Sequence, residues 1–135
     1  MNPDTNYVRM VCAINLHRIK GLVNNSWALS VAIDAATHHS TSYLDVRVRL
    51  FVPGKASHLQ NFHLVALPIF DRHTGEVMYG MIFKLLNVIC PDWKVKLIGV
   101  SSDGAANMTG QHLGVVTRIC NTMITDPIRV WCGAH

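Results

Sequence analysis

The stretch Lys94–Gly110, KVKLIGVSSDGAANMTG, constrains this chain more than any other. Val95, Leu97, Ile98 and Val100 form a short apolar run that stops at Ser101-Ser102-Asp103-Gly104. A run bounded in this way predicts a buried strand over Lys94–Asp103 that ends at a carboxylate. Ligands of open α/β sheets bind just beyond the carboxyl ends of such strands, so Asp103 is placed where a ligand could reach it. Asp-Gly is also a common turn pair, and on this stretch alone Asp103 reads equally well as a turn cap.

The flanking sequence predicts the sheet to which that strand belongs. Trp27–Thr37 alternates Trp27, Leu29, Val31 and Ile33 with small residues, as in a strand covered on both faces, and Asp34 interrupts it. An acid inside a covered strand is costly unless it is paired or binds a metal. After a polar turn at His38–Ser42, Tyr43–Val52 puts Leu44, Val46, Val48 and Leu50 on one face and Asp45, Arg47 and Arg49 on the other. Leu59–Phe70 reads as a third strand, with Phe62, Leu64 and Ala66 on one face. Short turns make these three an antiparallel meander.

Helices are expected between Thr74 and Cys90, with Val77, Met81, Leu85 and Val88-Ile89 as the apolar face, and from Thr109 to Met123, with Leu113, Val116, Ile119, Cys120 and Met123 facing in. A last strand covers Ile128–Trp131. Residues 1–26 predict a helical lead-in, with Val8, Val11, Leu16, Ile19 and Leu22-Val23 at helical spacing before Gly21 and Asn24-Asn25 break it. Residues 27–135 then form one α/β domain with a mixed five-stranded sheet.

Composition agrees with one domain and narrows its chemistry. Of 135 residues, half are hydrophobic and 15% charged, which supports a core and argues against disorder. The net charge of +4 permits a polyanionic partner without demanding one. It arises from scarce acids: seven Asp and a single Glu, Glu76, so carboxylate chemistry has few candidates. Cys12, Cys90, Cys120 and Cys132 form no C-x-x-C pair, and without a visible signal peptide they read as reduced intracellular thiols. The acceptor patterns at Asn24 and Asn107 then read as chance matches. No apolar run is long enough to span a bilayer. The glycine-rich nucleotide motifs are absent.

If the Trp27–Thr37 and Lys94–Asp103 strands are neighbours, Asp34 and Asp103 meet near one edge of the sheet. Two close carboxylates resist joint ionisation unless a cation neutralises them. An acidic, oxygen-only site suits Mg²⁺ or Mn²⁺.

Asp34-Ala-Ala-Thr37, Ser102-Asp103-Gly-Ala-Ala-Asn107-Met108 and Trp131-Cys132-Gly-Ala-His135, in this order, resemble the motifs of hAT-superfamily DNA transposases and their domesticated relatives. The resemblance covers residues 27–135. It implies a ribonuclease H-like fold and, in the full protein, metal-dependent cleavage and joining of DNA at transposon ends in the nucleus. By resemblance, Asp34 and Asp103 are catalytic, metal-holding members of a DDE triad that uses Mg²⁺ or Mn²⁺. The third acid is expected to be a Glu on a later helix, downstream of His135. DNA is the implied partner, with a homo-oligomer possible and no membrane. Two positions depart from the pattern: Ala36 stands where the family usually has Trp, and Gly104 where it often has Asn. The alternative is a domesticated, non-catalytic module kept for DNA or protein contacts.

The remaining candidates read more simply. Glu76, in the first turn of a helix, is favourable with the helix dipole. Asp45 reads as a solvated strand residue and Asp71 as a turn or cap residue. Cys132 and His135 have the separation of two zinc ligands, but two ligands are not a site; by resemblance they form a structural C-x-x-H pair at the rim. Arg47 and Arg49 are either edge-strand charges or phosphate contacts.

Overall fold

The computed structural model describes residues 3–54 and 58–131. Its elements run α1 (Pro3–Asn25), β1 (Leu29–His38), β2 (Thr41–Phe51), β3 (Leu59–Ile69), α2 (Gly75–Ile89), α3 (Trp93–Lys96), β4 (Leu97–Ser102), α4 (Ala106–Thr109), α5 (Val115–Thr122) and β5 (Ile128–Trp131). The strands form one mixed sheet in the order β3-β2-β1-β4-β5. β1, β2 and β3 pair antiparallel, as short turns require, while β4 runs parallel to β1 and β5 parallel to β4. β1 is thus the central strand, with β4 beside it.

The alternation of β2 sets the two faces of the sheet. Ser42, Leu44, Val46, Val48 and Leu50 are buried on one side, together with Val31, Ile33, Val100 and Ser102 of the neighbouring strands. α2 packs on this side through Met78, Ile82, Leu86 and Ile89, spaced for one helical face. Thr74 starts α2: its Oγ1 accepts a hydrogen bond from the Val77 amide at 3.3 Å. Pro91 stops it, and the buried Trp93 packs below that end with its indole N–H donating to Asn87 Oδ1 at 2.8 Å. The Asn24 amide donates to the Ile89 carbonyl, and Lys96 Nζ donates to the Asn24 carbonyl, so the ends of α1 and α2 are joined.

The opposite face of the sheet stays open. Along β1 the residues on that face, Ser30 and Ala32, are only half-buried, and Arg47 and Arg49 of β2 are exposed. The strand expected to be covered on both faces is therefore covered on one. The small residues that fill its alternate positions fit a covered strand and an open one equally well. Asp34 is accordingly an exposed acid rather than a buried one.

Other departures have local causes. Lys94–Lys96 forms one helical turn before β4, not the start of the strand. The helix expected over Thr109–Met123 is two pieces, because Gly110 and Gly114 fold the chain back on itself. A Cβ on Gly114 would lie 2.5 Å from Gly110 N and 2.7 Å from Met108 O. Leu113, in that fold, is 69% exposed instead of facing in. In β3 a register shift between Val46 and Arg47 of its partner strand leaves Leu64 buried and Ala66 exposed, so no single alternation runs its length. In α2 the buried stripe lies one residue beyond Val77, Met81 and Leu85, which are half-buried, and Val88 is exposed. α1 continues through Gly21 to Asn25; Ile19 and Val23 are buried, whereas Val8 and Val11 are exposed.

Candidate functional site

β4 ends beside the middle of β1, which runs on to His38. The β1–β4 register runs to Ile33↔Ser102, and the next residues along the two parallel strands are Asp34 and Asp103. Both line one cleft of about 370 Å³ at this end of the sheet, with Ala32, Ser101 and Trp131. The pair expected from the sequence is thus brought to one cavity between two interior strands rather than at a sheet edge: Asp103 just past the end of β4 and Asp34 within β1.

Each carboxylate is oriented by a backbone amide. Asp34 Oδ1 accepts from the Ala35 N–H at 2.9 Å. Asp103 Oδ1 accepts from the Ala105 N–H at 3.0 Å, the hydrogen bond of an Asx turn. The turn-cap reading of Asp103 is therefore correct as far as Oδ1 goes, and it does not exclude a ligand on Oδ2. Ser102 donates to the Asp103 carbonyl at 2.9 Å and fixes the backbone at the strand end.

A third acid enters the same cleft. The hairpin register places Asp45 directly opposite Asp34, and Asp45 lines the cavity. Asp45 is not merely solvated: Arg47 Nε donates to its Oδ2 at 2.8 Å, and His63 Nε2 contacts its Oδ1. Those partners occupy both of its oxygens. Among the described residues no three His, Cys, Asp or Glu side chains form a group able to hold a metal ion. Asp45 had a readable signal: a two-residue turn at His39-Ser40 pairs positions equidistant from it, and Asp34 and Asp45 are such a pair.

The other candidates stand elsewhere. Glu76 is exposed in the first turn of α2 and does not line the cleft. The Asp71 carboxylate accepts from the Arg72 amide, as a turn residue does. Cys132 and His135 lie outside the described residues. Of the remaining cysteines, Cys12 is exposed and Cys90 and Cys120 are buried. Burial pushes the Cys90 thiol up to about 11, helped by its hydrogen bond to Asp92, and burial also raises Cys120. Neither is a poised nucleophile. The Asp92 carboxyl is held below its usual value by that same thiol and by Lys96.

No family model matches the chain, and no curated protein matches it. No helix among the described residues is long and apolar enough to cross a membrane.

Proposed function

We propose that this chain is part of the catalytic core of a hAT-like DNA transposase, built on a ribonuclease H-like fold. The observation that carries the reading is the convergence of Asp34 and Asp103 on one cleft, where the parallel pairing of β1 with β4 stops. The strand order β3-β2-β1-β4-β5, with three antiparallel strands followed by parallel ones, supports it. So do the ordered motifs around Asp34, Asp103 and Cys132.

The donor set fits a hard divalent cation. Asp34 and Asp103 each have one oxygen held by a backbone amide and the other directed to no described partner. Mg²⁺ or Mn²⁺ would be held by these two carboxylates, and when bound would supply charge neutralisation for phosphoryl transfer. The residues themselves do two things. The Asx turn at Asp103 and the amide of Ala35 keep both carboxylates aimed before any ligand arrives. Arg47 and His63 withdraw Asp45 from the cluster, so only two uncompensated charges face the cleft.

Two carboxylates do not make a complete strand-cutting site. DNA cleavage is assigned to the longer protein, with a third acid from outside these residues, and DNA ends as substrate. The 135-residue chain with Mn²⁺ and supercoiled or hairpin DNA is expected to leave the DNA uncut. Cleavage lost in Asp103→Asn would show that the described acids suffice and would overturn that part of the reading. The second reading is a non-catalytic module retained for DNA or protein contacts. A metal-dependent nuclease assay on a chain extended beyond His135 separates the two.

A further inference from the structure

α1 carries apolar side chains on two sides. Ile19 and Val23 are buried against the domain, with Leu16 half-buried beside them. Tyr7, Met10, Val11 and Ile14 form a second stripe at i, i+3, i+4 and i+7, the spacing of one helical face. At about 100° per residue this stripe lies roughly 150° round the helix axis from Ile19 and Val23, so it turns away from the domain. Its four side chains are between 49% and 71% exposed. Asp4 to Asn15 are exposed without a break, whereas the other end of α1 is tied to α2 by the Asn24 amide, which donates to the Ile89 carbonyl. Half of the helix thus stands clear of the domain and presents a contiguous apolar surface, the mark of a protein contact.

The stripe is its own complement. Turned end for end about an axis between Met10 and Val11, it sets Tyr7 of one helix against Ile14 of the other, and Met10 against Val11. The charges favour the same direction. Asp4 lies on the line of the stripe about one turn before Tyr7, and Arg18 lies on it about one turn after Ile14. Antiparallel pairing brings Asp4 of each copy beside Arg18 of the other. Parallel pairing would set Asp4 against Asp4 and Arg18 against Arg18, and such like-charge juxtaposition is costly.

From this geometry we infer that Tyr7, Met10, Val11 and Ile14 dock on the same face of a second copy of this chain, as an antiparallel helix pair. The contact is two-fold and isologous, so association closes at the dimer. Four side chains from each copy make a small interface, and the dimer is accordingly weak and governed by concentration. It needs neither the acidic cleft nor a metal nor DNA, so it stands or falls apart from the function proposed above.

The test is sedimentation velocity of the wild-type chain in EDTA over about a hundredfold range of concentration. The wild type is expected to pass from monomer to dimer and to go no further. Val11→Glu/Ile14→Glu, checked for an unchanged far-UV spectrum, alters two exposed positions and places like charges across the axis. It should weaken the dimer by at least about tenfold. Direction is read by crosslinking in a Cys12→Ser/Cys132→Ser background. Val11→Cys stands next to the two-fold axis and should form an interchain disulfide under mild oxidation, whereas Tyr7→Cys should not. The proposal is overturned by a wild type that stays monomeric throughout, by a dimer that survives Val11→Glu/Ile14→Glu, or by crosslinking through Tyr7→Cys in place of Val11→Cys. A monomeric wild type that sediments with anionic vesicles, and loses this in Val11→Glu/Ile14→Glu, would assign the stripe to a lipid surface and overturn it equally.

Discussion

Asp34 and Asp45 face each other directly across the β1–β2 ladder, and only one of them has a compensating cation. Arg47 and His63 hold Asp45, whereas Asp34 is left with Asp103 as its cleft neighbour. Like charges directly opposite on a sheet are destabilising. Asp34→Asn and Asp103→Asn are therefore expected to leave the metal-free fold as stable as wild type or to stabilise it by up to about 1 kcal/mol. Asp45→Asn removes an exposed ion pair and should cost about 0–1 kcal/mol. Urea denaturation in EDTA measures all three. Strong destabilisation by the first two would make them structural caps.

The hairpin that creates this opposition turns at His39 and Ser40, both with positive φ (45° and 65°). Consecutive left-handed residues are the backbone of a type I′ turn, which favours Asn-Gly. Ser40→Gly should stabilise the chain by about 1 kcal/mol, and His39→Asn should add a smaller gain. Thermal melting checks it; destabilisation by either would mean the turn has another geometry.

Gly75 is the point where α2 meets the loop after β4. A Cβ there would lie 2.1 Å from Leu113 O and 3.0 Å from Asn107 O, both backbone atoms that cannot swing aside. Gly75→Ala is expected to cost about 2 kcal/mol or more. Gly80→Ala, where a Cβ meets nothing within 4 Å, should be neutral or stabilising, by up to about 1 kcal/mol. Equal stability of the two variants in denaturant would contradict this packing.

Much of the sheet was legible because alternation in Tyr43–Val52 and the apolar run ending at Asp103 are direct records of burial. The proximity of Asp34 and Asp103 followed from one inference, that β1 and β4 are parallel neighbours. The open face was not legible: Ala32, Ser30 and Gly99 are small whether a strand is covered on one side or two. The break at Gly110–Gly114 was hidden by Val116, Ile119 and Cys120, whose helical spacing masked two glycines needed for close backbone contact. Asp45 was missed because it was weighed as a residue of its own strand, not against the turn that sets its partner.

The Cys90 thiol gives a pH signature. Its pKa in the folded chain is raised to about 11 from an ordinary 9, so the neutral thiol is the form the fold favours. The stabilisation is complete below pH 9 and is lost as pH rises from 9 to 11. Cys90→Ser keeps a hydroxyl that can still donate to Asp92, so the alkaline loss should be smaller in that variant. Chemical denaturation at stepped pH checks the sign, and a steeper alkaline loss in Cys90→Ser would contradict it.

The cleft of Asp34 and Asp103 is most directly tested by calorimetric titration of Mn²⁺ into the wild-type chain and into Asp34→Asn/Asp103→Asn. Wild type should bind weakly and saturably, with one ion per chain, because two carboxylates hold one hard cation that keeps several waters. The double variant should show no saturable binding at the same concentrations. Identical isotherms for the two proteins would mean that these aspartates bind no metal and that the cleft is not a phosphoryl-transfer site.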